Sequence, residues 1–236
     1  MATSGTTAFD LPLTDLVAEA FERAGSESRS GYDLRTARRS LNLLLVDWAN
    51  RGVNLWTINF NTLVLTPGVP TYVLPDPMVD LIEHVIRTPQ GANPSDLTIS
   101  RISISTYATI PNKTSPGRPI QILVSRGTIS GTTPSDSGVT VTVWPVPDTA
   151  STYTLAYWFL RRMQDAGPTG TNSQDIPYRF LEPMAAGLAY MIAMKIPEGL
   201  PRIPMLKQAY EEVWQRASDE DREKAPVRFI PRIGML

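Results

Sequence analysis

Residues 138–162 read GVTVTVWPVPDTASTYTLAYWFLRR, and this stretch divides the chain. Val139, Val141 and Val143 share one face and Thr140 and Thr142 the other, the period of a half-buried strand. Tyr153 to Leu160 is apolar or aromatic on both faces and is expected to be covered on both sides. Pro145 and Pro147 fix two φ angles and remove two backbone donors, so regular pairing stops between the strands. The stretch reads as a β-hairpin that closes a β-rich middle, with helical segments on either side.

N-terminal to that middle the period is helical. Thr14 to Ala24 is expected to form a helix capped by Thr14, with Asp15 at its positive end and Gly25 as its stop. Its apolar face is Leu16, Val17, Ala20, Phe21 and Ala24. A longer helix follows over 32–50, capped by Asp33 or Ser30 and ended by Gly52. Its stripe of Leu34, Ala37, Leu41, Leu44, Leu45 and Trp48 steps by three and four residues.

From Leu55 the period becomes two. Strands are expected over 55–60, 62–66, 71–74, 81–87, 97–104 and 120–125, broken by the Pro67-Gly68 turn and by loops at 88–96 and 107–119. Residues 126–138 form a long Ser/Thr/Gly loop. Low charge with abundant Thr and Val suits a small β-sandwich or barrel.

Residues 164–175, QDAGPTGTNSQD, read as a linker, after which Asp175 is placed to cap a helix with Pro177 in its first turn. There Leu181, Met184, Leu188, Met191 and Ile192 share a face. Ala185, Ala186, Gly187, Ala189 and Ala193 are small enough for close approach by another helix. Prolines break the pattern over 197–204. A last helix is expected over 205–223, with Leu206, Tyr210, Val213 and Ala217 inward. The final residues, APVRFIPRIGML, are interrupted by Pro226 and Pro231. They form an extended apolar arm that needs a surface, with Val227, Phe229, Ile230, Ile233 and Leu236 as its candidate docking residues.

The expected fold is therefore α+β: an antiparallel helical bundle, an inserted antiparallel β-sandwich or barrel-like domain, and an extended C-terminal tail. Residues 1–54 and 164–224 are assigned to the helical domain, 55–163 to the insertion and 225–236 to the arm.

Composition narrows the function. The 236 residues are 42% hydrophobic and 19% charged, which suits a globular protein. No apolar run approaches the roughly 20 residues that span a bilayer, and the first ten residues, lacking basic and apolar parts of a signal peptide, read as a short arm. There is no cysteine and one histidine, His84, which excludes thiolate and multi-histidine metal sites. With 22 basic and 23 acidic residues, the chain has no net footprint for gripping nucleic acid.

No phosphate loop or nucleophile elbow occurs. His84 and Glu83 point to opposite faces of a strand, so His84 reads as structural or surface. Asp136 and Asp148 are the carboxylates a hydrolase would use, but each reads better as a loop residue. Arg35, Arg38, Arg39, Arg161 and Arg162 are candidates for facing the phosphates of a DNA channel; solvated faces and salt bridges are the favoured alternative. Tyr153, Tyr157, Trp158 and Phe159 read as core or subunit contact before sugar platform.

The order of YDLRTARRSLNLLLVDWANRGVNLW, TPGVPTYVLP, GRPIQILVSR, VTVWPVPD, IPYRFLEPMAAGLAYMIA and LKQAYEEVWQRA resembles the head-to-tail adaptors (tail accessory, or tail tubular A, proteins) of short-tailed bacteriophages, the podoviruses. The resemblance spans about Leu16 to Ala217. It implies a non-enzymatic virion protein without cofactors, assembled in the host cytoplasm. In such a family, copies form a ring, commonly of twelve, below the portal. That ring extends the channel for packaged double-stranded DNA, helps retain the DNA and carries the tail nozzle, while C-terminal segments reach the portal. The 126–138 loop departs from the pattern. The isolated subunit is expected to stay monomeric until a partner templates it. A carbohydrate- or receptor-binding virion module is the alternative, and a hydrolase the third reading.

Overall fold

The two periods of the sequence resolve into a mixed α and β structure. The computed structural model describes residues 5, 9, 11–27, 31–52, 55–75, 77–88, 94–127, 136–167 and 171–221, without the side chains of 136 and 137. In chain order the elements are α1 (Leu13–Ala24), α2 (Gly31–Asn50), β1 (Ile58–Leu65), β2 (Thr71–Pro75), β3 (Met78–Thr88), β4 (Ser95–Thr98), β5 (Ser100–Ile102), α3 (Ile104–Ala108), β6 (Gln121–Arg126), β7 (Asp136–Trp144), β8 (Tyr153–Arg161), α4 (Leu181–Ala193) and α5 (Ile203–Glu220). The chain divides into two compact units, Met1–Trp56 with Gln164–Leu236, and Thr57–Met163.

In the helical unit α4 is the hub. It packs against α1, α2 and α5, and it is buried almost all round, from Pro183 to Leu188 and at Ala189, Ile192 and Ala193. The small residues do what their size permits: a Cβ on Gly187 would stand 2.9 Å from both Leu44 Cδ2 and Tyr210 Cε2. α1 buries Leu16, Val17, Ala20, Phe21 and Ala24, plus Leu13. It ends where Gly25 turns left-handed at φ 91°.

Several caps and ends differ from expectation. α1 starts one residue early, after Pro12, so Thr14 lies inside the helix and does not cap it. Asp175 does not cap α4; its carboxylate accepts from the Gln164 amide at 3.0 Å, and a 3-10 turn at Tyr178–Phe180 leads into the helix. In α5 Leu206, Tyr210 and Ala217 are inward as expected, but Trp214 takes the place expected for Val213, which is half-buried. The expected linker is partly packed: Ala166 is buried, and its amide donates to Asn42 Oδ1 at 3.0 Å.

The β unit holds two four-stranded sheets, ordered β1-β8-β3-β4 and β2-β7-β6-β5. All pairs are antiparallel except β5 with β6, which is parallel and departs from the expected wholly antiparallel insertion. Val139, Val141 and Val143 from one sheet and Tyr153, Leu155, Tyr157 and Phe159 from the other join one buried cluster. The stretch 138–162 is thus no hairpin. β7 pairs with β2 and β6, whereas β8 pairs with β1 and β3. Its proline-bearing connection carries the chain between sheets. Trp144–Pro145 is cis, the Val146 amide donates to Ser115 O at 2.9 Å, and the Gly68 amide donates to Pro147 O at 2.9 Å.

Residues 97–104, expected as one strand, also divide. β4 lies in the first sheet and β5 in the second, and Ile104 begins α3, where Ser103 Oγ accepts the Thr106 amide at 3.2 Å. Conversely, the two runs at 55–60 and 62–66 merge, after a 3-10 turn, into β1.

Candidate functional site

Among the described residues no group of three or more His, Cys, Asp or Glu could hold a metal ion. In the helical unit, Trp48 lies parallel to Trp214, ring centroids 5.4 Å apart, with Phe180 tilted against both. The Trp48 indole N–H donates to Tyr210 Oη at 2.8 Å, satisfying a fully buried donor. Arg51 lies over Tyr210 and Trp214 and pairs with Asp47 and Glu211.

That clasp fixes the inner face of α2 and so presents its outer one. Positions 32, 35, 39, 43 and 46 step by three and four, and there Leu43 and Val46 are 58% and 59% exposed, with Tyr32, Arg35 and Arg39 exposed on the same strip. Leu43 and Val46, one turn apart on that strip, make an apolar area fit for a protein contact. The sequence signal for it was LNLLLVDW, whose Leu43 and Val46 are surplus to the inward stripe.

A second apolar surface lies in the β unit. Phe60 of β1 faces Trp158 of β8 in register, centroids 4.9 Å apart, both partly exposed. A register shift between Leu81 and Glu83 leaves Ile82 exposed as well, and Val64 is exposed farther along β1. Of the four aromatics singled out in the sequence, Tyr153, Tyr157 and Phe159 are core, and only Trp158 is outside.

The arginines do not converge as one group. Arg35 and Arg39 are exposed on α2, whereas Arg38 donates to Gly167 O at 3.2 Å. Arg161 donates to Arg162 O at 3.1 Å, at the end of β8. Two arginines not singled out, Arg101 and Arg126, reach from the second sheet to Asp80 of the first at 3.0 and 3.4 Å.

The catalytic candidates fall apart similarly. Asp148 Oδ1 accepts the Ala150 amide and the Tyr153 hydroxyl, both at 3.0 Å, which makes it a turn residue in the β7–β8 connection. The Asp136 side chain lies outside the described residues. His84 sits opposite Tyr157 in the β3–β8 register and therefore faces the core, with neither ring nitrogen hydrogen-bonded. Desolvation there holds its pKa below the usual histidine value; Glu83 opposes that shift and Arg101 adds to it. The arm residues Val227, Phe229, Ile230, Ile233 and Leu236, and most of the 126–138 loop, lie outside the described residues.

The chain matches the model of the SU10 adaptor protein family over residues 3–229. No curated protein matches the chain.

Proposed function

The chain belongs to the SU10 adaptor protein family, and from that premise we propose that copies of it form a ring below a phage portal. A phage adaptor is a structural virion component and associates with other virion proteins. The finer picture is a closed ring, commonly of twelve subunits. It continues the channel for double-stranded DNA, helps retain the packaged genome and carries the tail nozzle. The helical unit serves it as a bundle and the β unit as a sandwich. The observation that carries the reading is the family match across nearly the whole chain.

Surface chemistry supports it. A ring needs two different faces that meet and close by rotation. The Leu43/Val46 strip of α2 and the Phe60/Trp158 face are two such exposed apolar areas. A channel wall should neither grip DNA nor repel it, which 22 basic against 23 acidic residues permits. Arg35, Arg39 and Arg162 are the exposed ones among the candidate arginines, and we assign them to face phosphates. Val227, Phe229, Ile230, Ile233 and Leu236 are assigned to portal docking.

Deleting residues 225–236 tests the arm: portal binding is expected to be lost, and undiminished binding overturns that assignment. One observation favours a second reading. The exposed Phe60/Trp158 pair is of the kind that stacks on a sugar. Titration with glycans while following tryptophan emission decides it, since a shift that vanishes in Trp158→Ala supports the receptor-binding module.

A further inference from the structure

Within the helical unit, α1, α4 and the turn before α4 enclose an open groove of about 610 Å³. Its floor is apolar, from Ala18, Leu181 and Ala185. Phe9 and Tyr178 flank it at 73% and 80% exposure, so two aromatic side chains stand in water beside an apolar floor. Its rim is acidic: Asp15, Glu19, Glu22 and Glu182 line it against one cation, Arg23. Arg23 pairs with Glu19 and Glu182 and, chiefly through its hydrogen bond to Glu182, holds that carboxyl below its usual pKa. The rim thus carries four carboxylates and one guanidinium, a net charge of −3.

One segment of this chain has the opposite chemistry. Residues 222–236, REKAPVRFIPRIGML, carry Arg222, Lys224, Arg228 and Arg232 against Glu223, a net charge of +3. Between the charges stand Val227, Phe229, Ile230, Ile233, Met235 and Leu236. Pro226 and Pro231 suit the segment to an extended course along a groove. It also starts in the right place. The described chain ends at Asp221, whose carboxylate is paired with Arg179, the residue next to Tyr178 on the groove wall. Fifteen residues in extended form reach about 50 Å.

We propose that the C-terminal segment 222–236 docks in the groove between α1 and α4 of its own subunit. The apolar side chains cover the floor, Phe9 and Tyr178, and the arginines meet the acidic rim. Tethering makes the contact intramolecular, so it needs only modest intrinsic affinity. Docking itself does not depend on the adaptor reading. Its consequence does: a portal must compete for the arm, and an unassembled subunit keeps its apolar arm covered.

The absence of cysteine allows a single spin label on the full-length chain through Met235→Cys. Amides of Ala18, Glu22 and Leu181 are expected to lose intensity, and raising ionic strength should return it. In Arg228→Glu/Arg232→Glu the loss should disappear. Adding Asp15→Lys/Glu22→Lys to that variant should restore it. Unperturbed groove amides overturn the proposal, as does a loss indifferent to the charge reversal. Loss that persists when labelled chains are mixed with isotopically distinct unlabelled ones is docking between copies, and overturns the intramolecular form. Portal binding measured on the same variants tests the adaptor reading separately.

Discussion

His84 is the only histidine in the chain, and so the one side chain whose ordinary pKa, about 6.5, lies between pH 5 and 8. Its folded pKa is depressed, chiefly by desolvation opposite Tyr157. The unfolded chain therefore binds the proton more readily. The stability this contributes is present above about pH 6.5 and is lost as pH falls from there through the folded value. Chemical denaturation at stepped pH should show the loss, with a slope no steeper than about 1.4 kcal/mol per pH unit for one proton. In His84→Leu the slope over that window should vanish. At Gly187 a Cβ would press on Leu44 and on a Tyr210 ring held by Trp48. Gly187→Ala is therefore expected to destabilise by about 1–2 kcal/mol, overpacking outweighing the gain in helix propensity. Tyr210→Phe strands the buried Trp48 N–H and should cost about 1–3 kcal/mol by the same assay.

At the scale of elements, α2 and α5 are joined through the Trp48–Trp214 stack, so Trp214→Ala should cost about 3–5 kcal/mol in equilibrium unfolding. A cost below about 1 kcal/mol would mean the stack is not what joins them. The helices α1, α2 and α5 were legible because burial on one side writes a period into the sequence, whereas α3, with no buried residue, was not. Trp214 was not, because Val213 one place earlier satisfies the same stripe nearly as well. Buried Ser40 escaped for a related reason: its partner, Lys195, is remote in sequence. Extended segments were legible, but neither all their bounds nor their partners were. Val139 to Val143 and Tyr153 to Leu160 look like two arms of a hairpin because local alternation reports a buried face, not which strand lies alongside. Pairing is decided by β1, β2, β3 and β6, far away in sequence. Likewise Leu97 to Ile104 alternates as one strand although it changes sheets at Ile99.

For the whole molecule, the sequence held the family in the order of its segments, and the match over residues 3–229 bears that out. The candidate site was less legible. A contact surface is an excess of apolar side chains outside the core, visible only once the core is known; Leu43, Val46 and Phe60 became candidates because the inward faces were already filled. The near balance of charge has its own consequence. Binding of the isolated subunit to duplex DNA should be weak at physiological salt, and tight binding in an electrophoretic shift would contradict a passive channel wall. Light scattering of the purified chain should give a monomer of 26.1 kDa that becomes a ring only on a portal. The most direct measurement is the image of the particle itself. Single-particle reconstruction of the virion is expected to place the helical and β units in a ring between portal and nozzle. Absence of the chain from virions, or density for it away from the portal, would contradict the account.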